Sequence, residues 1–397
     1  MLATLMAMTA LGIDMMLPSF GAIRQQFGLS PTSTEVSAVV TVYLLGLALA
    51  QMIHGPLSDR FGRKPVLWLG LSLYLAGAAG SALSTSLPML LVARFLWGVG
   101  AAGPRVVTVA AIRDRFSGEA MAKTLSLVMA IFVLVPVIAP SLGTLLLAVG
   151  SWRWVFAFGV VYALVAGTWA RRLPETLAPE HRRSLELARL RQAVSIVVRN
   201  RITFGYTLAL TLLFGAFSSY LASSQLIITE FLGHPDAFPF VFGGLAAVMG
   251  VAMLVNGSVV DKVGLHRLAH VMMVVFTVAG VAAVTVFALR PGLGLVAFAV
   301  AMAVLMGSYA LIFPNLNTIA MDPMGEVAGM AAAVIGTVSL GGGALLGSVI
   351  DASFTDGPLP LFVGFAGYGV LAMLTVLWVE RGRLTLRRRR LSQPVLG

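Results

Sequence analysis

Between two long apolar runs, the chain reads Gly55-Pro56-Leu57-Ser58-Asp59-Arg60-Phe61-Gly62-Arg63-Lys64-Pro65. Its two glycines permit a tight reversal of the backbone, Pro65 suits the first position of a helix, and the four charged side chains require water. The segment is therefore predicted to be a short polar turn between two membrane-spanning helices.

A weaker copy of this turn occurs 202 residues later. Glycine, acidic, basic and glycine positions repeat, as the pairs Gly55/Gly257, Asp59/Asp261, Arg60/Lys262 and Gly62/Gly264. A motif repeated at half the chain length indicates two structurally related halves.

The amino-acid composition is typical of a membrane protein. Of 397 residues, 58% are hydrophobic and 11% are charged, whereas soluble proteins carry about 25% charged residues. The length is therefore interpreted as two membrane bundles. The chain has no cysteine, which excludes disulfides and thiolate metal sites. Among the histidines, the pair His266 and His270 is interpreted as a solvated face, and no cofactor or metal is predicted.

Twelve apolar runs are long enough to cross a hydrocarbon core of ~30 Å, which requires about 20 residues per helix. They lie near 3–23, 36–56, 66–85, 88–112, 122–149, 154–170, 202–229, 239–260, 268–289, 293–320, 327–350 and 359–379. One long polar insert, 171–201, follows the sixth run, and within it Glu186–Arg191 is predicted to form a short helix lying on the membrane. The chain is therefore predicted to consist of six membrane helices, a polar linker and six further membrane helices.

The positions of the basic residues give an orientation. Of the 27 lysines and arginines, 22 lie on the side that holds the turn motif, the insert and the C-terminus, and three lie on the other side. By the positive-inside rule, both termini and the linker are predicted to be cytoplasmic. The run Arg387-Arg388-Arg389-Arg390 is interpreted as a stop signal that meets anionic lipid. The net charge of +11 is therefore not read as nucleic-acid binding.

Three ionisable residues fall at membrane depth: Asp14, Arg94 and Arg105. Charges are costly there, so each is a candidate functional residue. Asp14 is the only acidic residue of sixteen that is predicted in the middle of a helix. Burial favours its neutral form and a nearby guanidinium its charged form, so such a carboxyl can exchange a proton. A static Asp14–arginine pair that only fixes helix packing is the alternative.

Depth arithmetic places Asp14 and Arg94 at one level. Asp14 lies ten residues before Arg24, and Arg94 lies about seven residues into the fourth run, so both are predicted roughly 10–15 Å below the outer surface. Arg105 lies ~16 Å deeper on nearly the same face. It is interpreted as a second anchor for a polar ligand group or as a gate residue paired with Asp114 or Asp59.

The charged residues around the turn are predicted to form a latch at the cytoplasmic face. Its members are Asp59, Arg60, Arg63, Arg113 and Asp114. Asp59 is also expected to face the start of the eleventh helix near Gly325, where a helix dipole would attract it.

The segment Gly55 to Lys64 resembles the loop between the second and third helices of major facilitator superfamily transporters, whose pattern is roughly G-x-L-a-D-r-x-G-r-k. The copy from Gly257 to Arg267 resembles the degraded version in such proteins. The resemblance covers essentially the whole chain. It implies an all-α integral membrane fold of twelve transmembrane helices in two pseudo-symmetric six-helix bundles. The predicted domains are bundles at 1–172 and 202–382, a linker with an amphipathic helix at 173–201, and a basic tail at 383–397.

Two helices carry more specific resemblances. Arg94-Phe-Leu-Trp-Gly-Val-Gly-Ala-Ala-Gly103 is similar to the family's fourth-helix motif, which implies a role in proton transfer for Arg94. Gly12-Ile-Asp14-Met-Met-Leu17-Pro18 resembles the first helix of drug/proton antiporters, with Asp14 in the acidic position. Some relatives have a second acid two turns earlier, where this chain has Met6, so the implied coupling rests on one carboxylate.

Further motifs resemble the bicyclomycin/chloramphenicol-resistance (Bcr/CflA-like) branch: Ile112-Arg113-Asp114 and Leu173-Pro174-Glu175-Thr176. The antiporter motif G-x-x-x-G-P-x-x-G-G on the fifth helix is half present. Pro140 and Gly143 match, while Val135, Ala139 and Thr144 depart from it. Gly341-Gly342-Gly343 and Gly347 hold the equivalent place in helix eleven. These small residues permit either helix rocking or simple close packing, which leaves the transport direction open.

The substrate site is predicted between the halves near mid-membrane, around Asp14. The candidate wall is apolar and aromatic, which suits lipophilic ligands, and consists of Tyr43, Leu47, Phe132, Phe217, Tyr220 and Phe313. Pro314 is expected to kink the tenth helix beside Asn315 and Asn317.

Together these features predict a monomeric bacterial inner-membrane transporter that exports small lipophilic compounds in exchange for protons. Proton-linked uptake of a metabolite is the rival within the transporter class, and a receptor-like protein without transport is the rival outside it. An enzyme is least favoured, because the chain has no histidine cluster, nucleophile elbow or P-loop.

Overall fold

A computed structural model of the chain describes residues 1–178, Glu180, Arg182, 187–382 and Leu384. These residues form helices joined by turns, with no strand among them. Twelve of the helices are long and apolar enough to cross a membrane, which confirms the predicted fold class. In chain order, helices 1 to 12 are Leu2–Gln26, Glu35–Phe61, Arg63–Ala82, Leu87–Arg115, Gly118–Val149, Arg153–Ala170, Arg201–Phe231, Pro235–Val263, Leu265–Leu289, Leu295–Gly325, Ala328–Asp351 and Leu359–Val379.

Successive helices run in opposite directions, so their connections lie at two ends of the bundle. The motif face is the end that contains the turns at Gly62 and Gly264, and the opposite face contains the turns at Gly28 and Gly233. Gly62 has φ +103° and Gly264 has φ +91°, a region that only glycine enters without strain. The repeated sequence motif therefore has the same backbone role in both halves.

The quoted stretch is helical almost throughout, which corrects the prediction of a polar turn. Helix 2 continues to Phe61 and helix 3 begins at Arg63, so Gly62 alone separates them. Pro65 is the third residue of helix 3 rather than the first. Its missing N–H costs no hydrogen bond there, because the first N–H groups of a helix have no partner within it.

Arg63 is the centre of the polar network at this corner. Its Nη1 donates to Asp59 Oδ1 at 2.5 Å and to Ser58 Oγ at 2.7 Å, and its Nε donates to Asp114 Oδ2 at 2.9 Å. These bonds join the end of helix 2, the start of helix 3 and the end of helix 4. Three of the five predicted latch residues therefore assemble within the first half.

The linker completes this network through Glu175. Its carboxylate accepts the backbone N–H of Arg63 at 2.9 Å and of Lys64 at 3.0 Å, and so caps the first turn of helix 3. The neighbouring Thr176 donates its hydroxyl to Asp114 at 2.9 Å. A Cβ at Gly62 would lie 2.5 Å from Glu175 Oε2, so this glycine also makes room for the cap.

The described residues of the second half form no copy of this network, because Leu265 stands in the place of Arg63. The corresponding corner is stabilised by the hydroxyl of Tyr206. It donates a hydrogen bond to Glu380 Oε1 at 2.8 Å and lies 3.0 Å from His270 Nε2, within hydrogen-bond distance. These contacts join helices 7, 9 and 12. Asp261 is exposed, so the degraded motif keeps its glycine turn without its ion pairs.

A linker helix spans Leu187–Arg199, so it overlaps the predicted helix from residue 187 and continues eight residues beyond Arg191. Its apolar face packs Val197 against Met324, Ala331 and Val334 of helices 10 and 11, with Met52 of helix 2 at the edge. The linker helix therefore covers the motif face of the bundle. Its apolar side contacts other helices of the protein. The predicted start at Glu186 and the tail from Arg387 to Arg390 fall outside the described residues.

Close approach of helices 2, 3 and 4 depends on glycine. A Cβ at Gly98 would collide with the carbonyl of Tyr43, and a Cβ at Gly100 would collide with the backbone of Tyr74. Both obstacles are main-chain atoms of neighbouring helices, which cannot rotate away. We therefore expect the first half to tolerate no side chain at these two positions.

Gly100→Ala is expected to destabilise the protein by about 1–3 kcal/mol, as is typical of overpacking. The matched control is Gly244→Ala, because Gly244 is exposed in helix 8 and no atom would lie within 4 Å of its Cβ. Thermal unfolding of the purified proteins in detergent measures the effect. Equal melting temperatures for the two variants would contradict this account of the helix 3–helix 4 contact.

A second prediction concerns the Glu175 cap. Burial acts to raise the pKa of Glu175, but hydrogen bonds from the N–H groups of Leu177, Lys64, Arg63 and Thr176 outweigh it, so the pKa lies below its usual range. The charged cap therefore stabilises the corner above about pH 4.3, and this contribution is lost as the pH falls through the lower folded value.

Glu175→Ala should accelerate hydrogen exchange of the Arg63 and Lys64 amides at neutral pH roughly fivefold, as expected for a lost cap of about 1 kcal/mol. Glu175→Gln should show a smaller effect, because its amide oxygen still accepts a hydrogen bond. Glu180→Ala, which removes an exposed acid of the same linker, is the control. Unchanged exchange in Glu175→Ala would show that the carboxylate does not hold this turn.

Candidate functional site

Asp14 lies where helix 1 is interrupted. The α-helix Leu2–Asp14 stops there, a 3-10 turn follows at Leu17–Ser19, and α-helix resumes as Phe20–Gln26. Pro18 stands inside this break, where its missing N–H fits an interrupted ladder of hydrogen bonds. The break leaves main-chain carbonyls free for other partners, as discontinuous membrane helices do at binding sites. Asp14 itself is 4% exposed.

Arg94 binds main-chain carbonyls of helices 1 and 2. Its Nη2 donates to the carbonyl of Gly12 at 2.7 Å, and its Nε lies 3.5 Å from the carbonyl of Val39. The guanidinium carbon lies 4.4 Å from the ring centre of Tyr43 and 4.7 Å from that of Trp97. Arg94 therefore ties helices 1 and 2 to helix 4 through carbonyl oxygens and aromatic faces.

The static Asp14–arginine pair weighed from the sequence is not formed. Within the described residues, the ion pairs are those of Arg63 with Asp59 and Asp114. Arg94 approaches helix 1 at Gly12, and residues two positions apart on an α-helix point about 200° away from each other. Equal depth does not therefore bring Asp14 and Arg94 into contact.

The electrostatic neighbours of Asp14 come from both halves. The phenols of Tyr43 in helix 2 and Tyr220 in helix 7 are close enough to interact with its carboxyl group. The Tyr220 hydroxyl has no hydrogen-bond partner among the described residues, and its ring stacks on Phe242 at 5.6 Å. The Tyr43 hydroxyl donates to the carbonyl of Thr9 at 3.1 Å, so Asp14 lies near the boundary between the two bundles with the Tyr220 hydroxyl as an unbonded polar neighbour.

An aromatic cluster in the second half contains two of the predicted wall residues. Phe217 stacks on Tyr309 at 4.8 Å, and Phe313 lies 5.4 Å from the same ring. Phe214 lies 5.9 Å from Phe217. Sequence reasoning missed Tyr309 and Phe214, although their spacing from the named residues on helices 7 and 10 places them one turn away.

The other predicted wall residues have different surroundings. Leu47 is buried. Phe132 packs with a separate cluster around Met6, Ile112 and Val128. Helix 5 instead meets the break in helix 1 at Gly143, whose Cβ would collide with the carbonyl of Met15. Close packing thus accounts for Gly143 in the half-present motif.

A cavity of about 400 Å³ leads along helix 1 towards this region. Its walls are mostly apolar and come from helices 1, 5 and 6, with Ala7 and Leu11 on helix 1 and Tyr162 on helix 6. Leu11 is one turn before Asp14. The cavity therefore ends close to the break without having Asp14 in its wall.

Several predicted gating residues do not join the Arg63 network. Both carboxylates proposed as partners of Arg105 are bound by Arg63, and Arg105 instead interacts electrostatically with Tyr43. Arg60 is exposed and lies over its neighbour Phe61, and Arg113 is exposed. Asp59 pairs within its own corner rather than with the start of helix 11.

Two further predicted gating residues, Gly55 and Pro140, make hydrogen bonds within their own helices. The carbonyl of Gly55 accepts a hydrogen bond from Ser58 in helix 2, and the carbonyl of Pro140 accepts one from Thr144 in helix 5.

Contacts between the halves near the opposite face involve residues that the sequence did not single out. Arg24 is buried and donates to Gln225 Oε1 at 3.1 Å, and Ser37 donates to the carbonyl of Ala222 at 3.1 Å. These bonds tie helices 1 and 2 to helix 7. Nearer the middle, Thr337 of helix 11 donates to the carbonyl of Ala48 at 2.8 Å.

A second acid, Asp351, is buried at the end of a helix, whereas the sequence analysis singled out only Asp14 in the middle of one. Asp351 closes helix 11 and is 4% exposed. It accepts hydrogen bonds from Ser219 and Ser223 of helix 7. The predicted run ended at 350, so a boundary error of one residue placed this acid in a loop. Two serines one turn apart in an apolar helix were the available signal.

Comparison with known proteins identifies the family. The Major Facilitator Superfamily profile matches residues 2–348. The bicyclomycin resistance protein homolog of Haemophilus influenzae is 27% identical over 381 residues, covering 95% of this chain and 94% of the relative. The multidrug resistance protein MdtL of Salmonella schwarzengrund is 28% identical over 383 residues, covering 92% and 91%. An uncharacterized MFS-type transporter of Bacillus subtilis, YdgK, is 30% identical over 361 residues, covering 88% and 87%.

Solved structures support the same fold. A D-xylose-proton symporter superposes with a TM-score of 0.76 at 17% identity, covering 94% of this chain and 95% of that one. A partially occluded inward open conformation of the xylose transporter XylE from E. coli gives a TM-score of 0.74 at 15% identity, covering 98% of both. The relatives confirm the resemblance to the bicyclomycin-resistance branch. The chain belongs to the Major Facilitator Superfamily, a family of multi-pass membrane transporters.

Proposed function

We propose that this transporter exports small lipophilic compounds, including antibiotics, across a bacterial cytoplasmic membrane in exchange for protons. The observation that carries the proposal is Asp14, an acid buried at a break in helix 1 without an arginine partner and next to Tyr220 of the other half. The names of the relatives, a bicyclomycin resistance protein homolog and multidrug resistance proteins, support the substrate class.

The proposed orientation puts the motif face in the cytoplasm, in keeping with the distribution of basic residues. A monomer suffices, because both halves of the alternating-access machine are in one chain. A carboxyl buried without a cation is costly when ionised, so its charge is balanced by a proton or by a cationic group of the substrate. Competition between proton and substrate at or beside Asp14 is the simplest means of exchange.

The substrate is proposed to lie against the aromatic cluster of Phe214, Phe217, Tyr309 and Phe313. Flat apolar rings bind varied lipophilic molecules without exact hydrogen-bond matching. Protonation of Asp14 from the opposite face would release the compound there, and loss of that proton to the motif face would restore binding. The Arg63 network and the linker helix cover the motif face, where release of the proton requires an opening.

Asp14→Asn should abolish proton-driven transport, because an amide cannot carry the proton. Everted vesicles with an imposed proton gradient and a fluorescent lipophilic substrate measure the accumulation. Asp356→Asn, which removes an exposed acid in the loop after helix 11, is the control and should transport normally. Full gradient-driven accumulation by Asp14→Asn would refute the coupling, and accumulation in right-side-out vesicles instead would indicate uptake.

Phe217→Ala and Phe313→Ala should each weaken substrate binding by about 0.5–1.5 kcal/mol, the usual contribution of an aromatic contact, and so raise the half-saturation concentration roughly 2- to 12-fold. Phe132→Ala is the matched comparison, since this ring packs in the separate Met6 cluster. Initial transport rates over a range of substrate concentrations provide the test. A larger effect of Phe132→Ala than of the other two would move the binding site to helix 5.

A further inference from the structure

Asp351 and two serines of helix 7 form a built polar site inside the second half. Ser219 Oγ and Ser223 Oγ each donate to Asp351 Oδ1 at 2.6 Å. The serines are four residues apart, so their hydroxyls leave the same face of helix 7 and converge on one oxygen. Ser219, Ser223 and Asp351 are all buried, at 0%, 0% and 4% exposure.

No protein cation balances this carboxyl among the described residues, where the ion pairs belong to Arg63 at the other end of the bundle. The groups that face it are the two hydroxyls from helix 7 and the phenol of Tyr368 from helix 12, which lies within electrostatic range. Asp356 in the following loop is exposed. Hydroxyl donors reduce the cost of burying a carboxylate but supply no positive charge. The site therefore requires a proton or an added cation.

The chain becomes exposed at the opposite face immediately after Asp351. The two residues that follow Asp351, Ala352 and Ser353, are exposed. Asp351 therefore lies at the boundary between the buried helix and an exposed loop. Asp14, in contrast, lies twelve residues before the end of helix 1 at that face.

We propose that Asp351, Ser219 and Ser223 form a second proton-binding site of this transporter, loaded from the opposite face, whose occupancy controls the contacts that close this face. The proposal rests on the proton-coupled function argued above and adds a second acid to it. The proton binds a carboxylate oxygen of Asp351, and it is returned to water at the same face or passed inward during the cycle.

The link to the closing contacts runs through helix 7. Ser219 and Ser223 flank Ala222, which accepts the hydrogen bond from Ser37 of the first half. Gln225, which binds Arg24, is two residues beyond Ser223. Hydrogen bonds to an ionised carboxylate are about twice as strong as neutral ones. Protonation of Asp351 therefore loosens the attachment of helix 7 to helix 11 beside both contacts.

Asparagine separates this role from a structural one. In Asp351→Asn the amide oxygen can still accept both serine hydroxyls, so a purely structural site would be preserved. The variant cannot ionise, however, so a proton site would be fixed in its neutral form. Asp356→Asn is the matched control, because it removes an exposed acid five residues away at the same face.

Infrared spectra of the purified protein test the proton site directly. At about pH 6 to 7, exposed carboxyls are ionised, so carboxylic acid C=O absorption comes from buried acids. We expect a component of this absorption to disappear in Asp351→Asn, to shift in the Ser219→Ala/Ser223→Ala double variant, and to remain in Asp356→Asn. An unchanged spectrum in Asp351→Asn, or a wild-type band that responds to sodium at constant pH, overturns the proposal.

Spin labels test the control of the opposite face. The chain has no cysteine, so Gln26→Cys and Asp236→Cys place one label on each half at exposed positions of that face. We expect the label-to-label distance to change between about pH 6 and 9 in the parent and in Asp356→Asn, and to change clearly less in Asp351→Asn, where only Asp14 of the two acids can still respond. A constant distance in the parent, or an unchanged response in Asp351→Asn, overturns the gating role.

These readouts do not require transport. If vesicles show no proton-driven export but the infrared component depends on Asp351, the proton site stands and the proposed function fails. If export requires Asp14 but neither spectrum nor distance depends on Asp351, the function stands and the second site is wrong.

Discussion

A buried guanidinium that binds carbonyls and aromatic rings instead of a carboxylate organises the first half. Arg94 is fully buried, yet it donates its hydrogen bonds to the carbonyls of Gly12 and Val39. Its guanidinium packs against the rings of Tyr43 and Trp97. Cation–π contacts of this kind contribute about 0.5–2 kcal/mol each and offset part of the cost of burying the charge, while Nη1 has no hydrogen-bond partner among the described residues. Because Arg94 does not pair with Asp14, the proton exchange proposed at Asp14 requires no ion pair to be broken.

The two halves share a backbone plan but divide the polar chemistry differently. Both turn at a glycine with positive φ, at Gly62 and Gly264. The first half adds the Arg63 network and the Glu175 cap at the motif face, whereas the second half places its buried carboxylate, Asp351, at the opposite face. The repeated sequence motif accounts for the common fold. Differences at a few polar residues give the two ends of the bundle different hydrogen bonds and ion pairs.

The sequence determined the architecture well, because helix length and apolar composition alone decide which segments cross a bilayer. It also located Asp14, since a charge in an apolar run is conspicuous. Contacts were harder to infer. Depth arithmetic put Arg94 level with Asp14, but depth says nothing about direction around helix 1, and the guanidinium binds the carbonyl of Gly12 instead. Asp351 was lost to a boundary error of one residue, to which a helix end is always subject.

Helix 7 connects the features that a transport cycle has to couple. Its aromatic residues face the proposed substrate, Tyr220 interacts with Asp14, and Ser223 binds Asp351. The same helix carries Ala222 and Gln225, which bond to the first half. In the proposed cycle, a substrate at the aromatic cluster, a proton at either acid and the closure of the opposite face would therefore all act on one helix. Coupling among them requires a shift of this helix between two packings and no long pathway of contacts.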